Sequence, residues 1–445
     1  SIALYQRLPI ERAVIWSILG AYLLLPPLAN FDFPLIPAFN KTSIPNLVAY
    51  GTCVLMLGRR VPILPESGVG KVLMLLFLFR PVAPVLTNSD PLWFTVGGLP
   101  GLRAHDSISA IIGQAIDILP FVIARQLLAT EGAQREIVWA LMLAGLAYSL
   151  PMLIEIRLSP QINVWVYGFF QHDFIQMMRD GGFRPIVFLP HALWVAFFTL
   201  MALLASVALW RNAEASKRTL HMFAAGYLGV VLVLCKSMAS LAYALLLVPM
   251  VRFAGPRAQL RLAAALALVA LFFPLLRGAD LVPVKAMLTQ AESLSEERAA
   301  SLAFRFNNED RLLDRARERP AFGWGAWGRN RVYDPLTGKD LSVIDGRWII
   351  TIGTLVWFGY IAEFGLLAWP IILLARRARR LPANEISPYA GTLALILAAN
   401  MIDMLPNATL IPFTWLLAGA TLGYAESLGR ARVPAAAATD PAPAR

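Results

Sequence analysis

Apolar runs close to the length of a membrane span recur along most of this chain. A helix that crosses a bilayer needs about 20 mostly apolar residues, within a range of about 17–25. One helix running through Lys236 would be about 51 Å long, far longer than the hydrocarbon core, so a break is predicted at that lysine. The sequence therefore predicts twelve spans, at residues 13–29, 44–58, 70–87, 107–128, 137–154, 187–210, 219–235, 237–252, 260–276, 348–375, 388–405 and 408–426.

The overall composition supports a membrane protein. Apolar residues make up 58% of the 445-residue chain and charged residues 15%, and the mean hydropathy is +0.61. A soluble domain averages about 45–50% apolar and about 25% charged residues. This chain has too few charges to cover a water-facing surface, which argues against a cytosolic enzyme, a disordered regulator and a coiled coil. The predicted fold class is an all-α polytopic protein embedded in a lipid bilayer.

The basic residues are distributed unevenly between the two sides of such a bundle. An excess of Lys and Arg in short loops marks the cytoplasmic side. If the N-terminus is cytoplasmic, that side carries twenty basic residues, and the short loops of the other side carry six, namely Lys41, Arg103, Arg157, Arg179, Arg184 and Lys236. The net charge of +11 is then mainly a topology signal. Both termini are predicted to be cytoplasmic.

The chain is predicted to divide into four parts. Spans 1–9 occupy residues 1–276, a loop domain follows over 277–347, spans 10–12 occupy 348–428, and an Ala- and Pro-rich disordered tail covers 429–445. In the loop domain, one helix is predicted over 283–304. A second is predicted over 309–319, starting at Asn307 and Asn308 and ended by Pro320.

Motifs for metal, nucleotide or covalent chemistry are absent from the sequence. The four histidines are scattered without a paired-ligand spacing, and Cys53 and Cys235 lie in apolar runs, as structural thiols do. The chain has no P-loop, dinucleotide fingerprint or nucleophile elbow. The sequence therefore predicts no metal, no cofactor and no nucleic-acid partner.

One helix of the loop domain carries arginines in a regular pattern. Arg311, Arg315 and Arg319 recur every four residues and share a helix face. The pattern suits a solvated helix with ion pairs along its surface. It also suits an arginine directed at an anionic ligand, because the planar guanidinium binds two phosphate oxygens and stays charged.

The segment after Pro320 combines glycines and tryptophans. In the sequence FGWGAWG, the glycines can form an anion-binding nest, whereas Trp324 and Trp327 suit either membrane-interface anchors or sugar stacking. Asp345 precedes the next span, where it suits a general base or a helix N-cap.

Other charges lie at the ends of spans or inside them. Lys236 at a helix break is costly unless it is paired or faces a polar cavity. Arg184 follows a loop that also contains Arg157 and His172, and it suits either a functional role or simple snorkelling to the interface. The sequence does not reveal the pairing of the remaining in-span charges, which are Arg80, Asp117, Glu363 and Asp403. Cations at one face of a bundle beneath a Gly- and Trp-rich loop would suit a lipid diphosphate that carries a glycan.

Three of these motifs occur in a characteristic order. Arg184 begins an Arg-x-x-apolar stretch, residues 235–240 read Cys-Lys-Ser-Met-Ala-Ser, and Arg311 begins a run that continues through Pro320 to Gly323-Trp324-Gly325. Over roughly residues 130–375, this ordered set resembles the O-antigen polymerase and O-antigen ligase superfamily of bacterial envelope glycosyltransferases.

The resemblance implies a C-type glycosyltransferase fold acting on undecaprenyl-diphosphate-linked glycans at the periplasmic face of the inner membrane, without metal or nucleotide sugar. It implies catalytic roles for Asp345 and Arg311. The implied diphosphate-binding residues are Arg184, Lys236, Arg311 and Arg157, and the glycan-binding residues are Trp324, Trp327, Trp348 and His172. Implied partners are the polyprenyl-diphosphate-linked oligosaccharide, a chain-length copolymerase and a flippase.

The sequence around Asp345 favours a polymerase. Ligases of the superfamily have a His-Asn pair at this point, whereas this chain has Asp345-Gly346 followed by Arg347-Trp348. That form resembles the polymerases of exopolysaccharide pathways. A ligase that transfers finished glycan to a lipid A core or another acceptor is the first alternative. A transporter of lipid-linked glycans is the second.

Overall fold

The structure, a computed structural model, describes residues 2–33, 36–179, 181–294 and 296–430. It is mostly α-helical and contains almost no sheet. In the first half of the chain these are α1 (Ile2–Arg7), α2 (Ile10–Leu24), α3 (Ser43–Gly51), α4 (Gly68–Phe79), α5 (Val82–Thr87), α6 (Ala104–Asp117), α7 (Leu119–Leu127), α8 (Glu131–Leu158), α9 (Ile162–Tyr167) and α10 (Ala192–Asn212). A π-helical turn, Thr52–Met56, extends α3.

The second half of the chain contains eight further helices among the described residues. They are α11 (Ala215–Leu234), α12 (Met238–Phe253), α13 (Pro256–Gly278), α14 (Val284–Leu294), α15 (Glu296–Arg317), α16 (Arg347–Ala378), α17 (Ala390–Asp403) and α18 (Pro412–Arg430). Three antiparallel hairpins lie in the loops, each of two short strands: β1 (Asn30–Phe31) with β2 (Phe39–Asn40), β3 (Leu92–Trp93) with β4 (Gly98–Leu99), and β5 (Met178–Arg179) with β6 (Gly182–Phe183). The sheets are too small to form a layer, so the fold is all-α as predicted.

The helices are those of a multi-pass membrane protein. Among the described residues, six helical stretches have the length and hydropathy needed to cross a bilayer: 104–127, which comprises α6 and α7, 131–158, 192–212, 215–234, 256–278 and 347–378. Four of the other predicted runs form shorter apolar helices, at 43–56, 68–79, 238–253 and 390–403. The two remaining runs correspond to α2 and α18. Every predicted run is thus mainly helical, while six of the twelve meet both the length and the hydropathy expected of a membrane span.

Small residues allow close packing inside the bundle. α18 packs against α7, and a Cβ added at Gly419 would lie 2.1 Å from the carbonyl oxygen of Phe121. At Gly423, one turn further, it would lie 2.0 Å from the carbonyl oxygen of Arg125. Glycines four residues apart let two membrane helices approach until their backbones touch. This contact brings the ends of α7 and α18 together.

Contacts sort the loops and helix ends into two sets that alternate along the chain, as expected for helices that run up and down through a bundle. One set, here called the loop end, carries the segment 279–346. Its contacts join Lys41 to Phe188, Thr95 to Pro335, Lys236 to Arg179, and Arg305 to Asn407. The contacts of the opposite end join Arg125 to Glu426, Arg430 to Glu66, Arg257 to Leu381, and Arg377 to Ala425.

Two local predictions have clear outcomes. The break at Lys236 is confirmed: α11 ends at Leu234, α12 begins at Met238, and Lys236 has a φ of 51°. The predicted helix start at Asn307 and Asn308 is wrong, because both lie inside α15. The side chain of Asn308 donates to the Phe304 carbonyl one turn back and accepts from the backbone N–H of Val343. These contacts satisfy the amide within the helix.

Two further predictions concern the last third of the chain. The predicted single span at 348–375 is interrupted, because Val356 has non-helical dihedral angles (φ 49°, ψ −151°) in the middle of α16. We call this point the Val356 elbow. Of the predicted tail, Gly429 and Arg430 end α18. Residues 431–445 lie outside the described residues.

Candidate functional site

A cavity of about 250 Å³ lies at the loop end, where α15 crosses the start of α16. Arg305, Glu309 and Asp345 line it, and we call it the Arg305 cavity. Its remaining walls are mainly apolar and come from the six helices α12 to α17 and from adjoining loops. The cavity therefore combines an apolar interior with one cation and two carboxylates.

Arg305 is held at the wall of this cavity by three contacts. Its Nη1 donates to the carbonyl oxygen of Pro406 at 3.3 Å and to Oδ1 of Asn407 at 3.4 Å. Its Nε lies 3.6 Å from Oδ2 of Asp345. Asn407 also donates to Asp403 at 3.2 Å, and Asp403 is buried. The guanidinium is thus fixed between the α17–α18 turn and the residues that precede α16.

Asp345 does not cap α16. The N-cap residue is Gly346, and no side chain accepts a capping hydrogen bond there. The Asp345 side chain is 39% exposed and pairs with Arg305. Of the two interpretations of Asp345, the helix N-cap is wrong. The general base stays a prediction, and this carboxylate lies beside a cation.

Glu309 is the more buried of the two cavity carboxylates. Its side chain is 13% exposed, its Oε1 accepts a hydrogen bond from Nε1 of Trp348 at 3.2 Å, and its Oε2 lies 4.0 Å from Nε of Arg277. Burial raises the pKa of this carboxyl group to about 7, because desolvation outweighs the Trp348 hydrogen bond and the Arg277 charge. Glu309 therefore changes protonation state near neutral pH.

The predicted diphosphate ligands Lys236 and Arg184 both lie at one hairpin. Nζ of Lys236 donates to the carbonyl oxygen of Arg179 at 2.7 Å, which ties the α11–α12 break to the β5–β6 hairpin. Arg184 directly follows this hairpin and is buried. Glu155, at the end of α8, accepts backbone hydrogen bonds from Ile186 and Val187 at 2.8 Å each and so fixes the turn after Arg184.

Two histidines connect this hairpin region to the Arg305 cavity. The rings of His172 and His191 meet edge to face at 4.6 Å. The pKa of His191 is lowered to about 3 by burial and, further, by His172, Arg184 and Arg305. His191 is therefore neutral at physiological pH, and its Nδ1 accepts a hydrogen bond from the backbone N–H of Leu193 as the cap of α10. The positive charges of Arg184 and Arg305 therefore both lie near enough to the His191 ring to lower its pKa.

Two of the predicted diphosphate ligands lie apart from this group. Arg311 is exposed on α15, two residues after Glu309. Two residues turn a helix by about 200°, so these side chains point in opposite directions. Arg157 is exposed in the last turn of α8. Neither arginine is among the described residues that line the Arg305 cavity, and their predicted roles stay predictions.

Two of the predicted glycan-binding tryptophans are structural. Trp324 is buried, donates to the carbonyl oxygen of Arg315 at 2.7 Å, and has the Arg315 guanidinium 3.4 Å from its ring centre. Trp348 is fully buried and packs against Phe273. Rings enclosed in this way offer no face to a sugar, so glycan stacking by Trp324 and Trp348 does not fit the structure. Trp327 is 62% exposed and donates to Asp106.

The backbone N–H groups of the glycine-rich segment donate to carbonyl oxygens of α16, where the sequence predicts that they bind an anion. The backbone N–H groups of Trp324 and Gly325 donate to the carbonyl oxygens of Gly353 and Thr354 at 3.0 and 2.9 Å. These carbonyls precede the Val356 elbow. The interruption of the helix there leaves them without the backbone N–H donors that a continuous helix would supply. Gly323 is required here, because a Cβ would lie 2.5 Å from the Thr354 oxygen. The predicted nest is thus a joint between the loop and α16.

A second charged cluster lies next to the first, on the other side of Asp345-Gly346-Arg347. Glu363 is fully buried and accepts hydrogen bonds from Arg347 at 2.6 and 2.7 Å and from Arg80 at 2.7 Å. These residues and Asp117 line a cavity of about 280 Å³. We call the group the Glu363 cluster. Of the in-span charges, Arg80 and Glu363 pair with each other, whereas Asp403 accepts hydrogen bonds from Asn407 and Thr409.

The sequence interpretation did not single out Arg305, Glu309 or Arg347. Arg305 and Glu309 lie four residues apart and share a helix face with the buried Phe306 and Leu312 nearby. This amphipathic pattern is the sequence signal that could have identified Arg305 and Glu309. The more regular spacing of Arg311, Arg315 and Arg319 favours those arginines instead. No local signal distinguishes Arg347 as a partner of Glu363.

Comparison with known proteins gives no family assignment. No protein-family model matches the chain, and no curated protein matches it.

Proposed function

We propose that this protein is a membrane glycosyltransferase that polymerises polyprenyl-diphosphate-linked oligosaccharide repeat units at the periplasmic face of the bacterial inner membrane. The observation that carries this proposal is the pairing of Arg305 with Asp345 on the wall of a mainly apolar cavity at the loop end. A lipid diphosphate needs cations for its phosphates and an apolar wall for the first part of its chain. The Arg305 cavity offers both.

The proposed role of Arg305 is to hold the leaving diphosphate. Its Nη1 is engaged by Pro406 and Asn407, whereas its Nη2 makes no hydrogen bond within the described part of the chain. An arginine presents five N–H donors and binds phosphate through two at once. Arg184 and Lys236 lie at the neighbouring hairpin and add positive charge at the loop end. Such fixed cations stabilise charge that develops on a leaving group.

The proposed reaction is an inverting glycosyl transfer. A sugar hydroxyl of the acceptor attacks the anomeric carbon of the lipid-linked chain, and Asp345 orients or deprotonates this hydroxyl. The reaction requires neither metal nor nucleotide sugar. A C-type glycosyltransferase-like fold of about twelve spans, cytoplasmic termini, and a chain-length copolymerase and flippase as partners belong to the same proposal.

The proposal is tested with purified protein in nanodiscs. The substrate is the lipid-linked repeat unit that accumulates in a strain lacking the protein, supplied with EDTA and without nucleotide. Products longer than one repeat are expected. Wild-type protein that fails to elongate the repeat unit would contradict the proposal.

The lipid-linked glycan in the deletion strain separates the alternatives. Single repeat units are expected for a lost polymerase, because no repeats have been joined. Long lipid-linked chains would instead indicate a ligase. Movement of intact repeat units across vesicle membranes without elongation would indicate a transporter.

A further inference from the structure

The two carboxylates of the Arg305 cavity differ in burial and in partners. Asp345 is 39% exposed and is paired with Arg305, the proposed diphosphate ligand. Glu309 is 13% exposed, and its Oε1 is held by the indole N–H of Trp348. Its Oε2 is buried and has no hydrogen-bond partner among the described residues. Only Glu309 therefore combines a fixed orientation with an unsatisfied oxygen.

The closest cation to Glu309 is engaged elsewhere. Nη2 of Arg277 donates to Oδ1 of Asp310 at 2.5 Å, whereas its Nε is 4.0 Å from Oε2 of Glu309. A buried carboxylate oxygen without a hydrogen bond is costly while it is charged, and taking up a proton relieves that cost. The arrangement around Glu309 thus favours proton uptake from a neighbour.

From these contacts we propose that Glu309, in place of Asp345, is the general base of the glycosyl transfer, and that Asp345 positions Arg305. This inference rests on the proposed function. Glu309 and Arg305 are one helical turn apart on the same face of α15, where side chains four residues apart are neighbours. The base and the cation for the leaving group would therefore be presented to the substrate from one rigid element.

The proposed step conserves atoms and electrons. The acceptor hydroxyl oxygen forms a bond to the anomeric carbon, and the bond between that carbon and the diphosphate oxygen breaks. Its electron pair leaves with the diphosphate, which Arg305 holds. The hydroxyl proton passes to the Glu309 carboxylate and then to water when the product leaves. No oxidant, reductant or metal takes part.

The protonation behaviour of Glu309 agrees with this role. A general base works best when its pKa lies near the operating pH, and the pKa of Glu309 is raised to about 7. The titratable and charged groups that face it are Arg277 from α13, Arg305 and Asp310 from α15, Asp345 before α16, and Tyr243 from α12. With this base, the elongation rate rises as the pH increases through about 7.

The test compares Glu309→Gln with Glu296→Gln in the nanodisc elongation assay. Glutamine keeps an oxygen to accept the Trp348 hydrogen bond but cannot take up the proton. The rate of Glu309→Gln is expected to fall by about 10²–10⁴-fold and to lose its rise near pH 7. Glu296 is exposed at the start of the same helix, so its variant should keep the wild-type rate and pH profile.

A second variant gives a readout that a merely structural role would not produce. Trp348→Phe removes the N–H that stabilises the Glu309 carboxylate, so the rising limb of the pH–rate profile is expected to move to higher pH. If Glu309→Gln does not insert into the membrane, the direction of the shift in Trp348→Phe tests whether Glu309 is the base. An unshifted limb in Trp348→Phe, or a wild-type rate and profile in Glu309→Gln, would overturn the inference and leave the proposed function standing. A wild-type protein without elongation activity would overturn both.

Discussion

Arg347 and Glu363 are sixteen residues apart in α16, yet their side chains join through two hydrogen bonds of 2.6 and 2.7 Å. In a straight helix these residues would be separated by about 24 Å, which the two side chains cannot bridge. The contact exists because the chain turns back at the Val356 elbow, so that residues 347–355 lie beside the segment that starts at 357. A valine rarely adopts a positive φ, so the surrounding contacts must hold this bend.

The bend determines the depth of the candidate site. Glu363 lies seven residues after Val356, which corresponds to about 10 Å along a helix. Arg347 is level with Glu363, so the preceding Asp345 also lies below the start of the spanning segment. The Glu363 cluster is therefore recessed into the bundle, and the Arg305 cavity lies beside α14 and α15, which contribute to its lining.

We expect Glu363→Gln to destabilise the protein strongly. Glu363 neutralises Arg80, whose side chain is 4% exposed, and Arg347. Removing one partner of a buried ion pair costs about 3–5 kcal/mol because it leaves an uncompensated charge. Thermal unfolding in detergent measures the change. Glu318→Gln is the matched control, since Glu318 pairs with Arg315 at the surface, where such changes stay within about 0.5 kcal/mol. Equal melting temperatures would contradict this account of the Glu363 cluster.

We expect Gly323→Ala to loosen the joint between the loop and α16. Alanine at a φ of 75° costs about 1–2 kcal/mol in backbone conformation, and its Cβ would collide with the Thr354 oxygen. Gly168 has a similar φ of 80° but open space around it, so Gly168→Ala carries the first cost alone. Limited proteolysis of the segment 296–346 should therefore be faster in Gly323→Ala than in Gly168→Ala. Similar rates would show that the close approach does not hold the loop.

We expect Arg305→Ala to reduce elongation more than Arg311→Ala. Arg305 lies on the cavity wall, whereas Arg311 is exposed on the opposite side of α15. Losing one donor to a developing charge typically lowers the rate by about 10²–10³-fold. The in vitro elongation rate, normalised to protein in the nanodisc, measures both variants. An equal or larger loss in Arg311→Ala would move the diphosphate site to the outer face of α15, as the family resemblance implies.

We expect Glu309→Gln to stabilise the fold at alkaline pH relative to the wild type. The pKa of Glu309 rises from its ordinary 4.5 to about 7 in the folded protein. Between these two pH values the folded state holds a proton that the unfolded state lacks, so wild-type stability falls as the pH rises through this window. Above pH 7 the folded protein carries the cost of the buried charge, on the order of 1–3 kcal/mol. Glutamine has no such cost.

This prediction is checked by melting temperatures at pH 5 and pH 8. The difference between Glu309→Gln and the wild type should be more favourable to the variant at pH 8 than at pH 5. The same comparison for Glu296→Gln should show no pH dependence, because Glu296 is exposed. A Gln variant with the same disadvantage at both pH values would show that Glu309 is stabilised as a carboxylate in the fold.

The pattern of the sequence was sufficient for the fold class and for several local features. Hydropathy depends on consecutive residues, so the apolar runs predicted helices that the structure contains, including the break at Lys236. Helix ends were harder to predict. The amides of Asn307 and Asn308 suggested a helix start, but a tertiary contact with Val343 accommodates Asn308 within α15. The family resemblance implies that Trp324 and Trp348 bind glycan, whereas both are buried. A sequence does not show which tryptophans the fold encloses.

The sequence by itself determined that this chain is an apolar helical bundle and which of its segments carry charge. Only the tertiary structure decided which charges meet. The rotation of α15 directs Arg305 and Glu309 inward and Arg311 outward, and the Val356 elbow brings Arg347 to Glu363. The physical reason is that a hydropathy pattern is a local property, whereas the partner of a buried charge depends on the rotation and bending of helices that are distant in sequence.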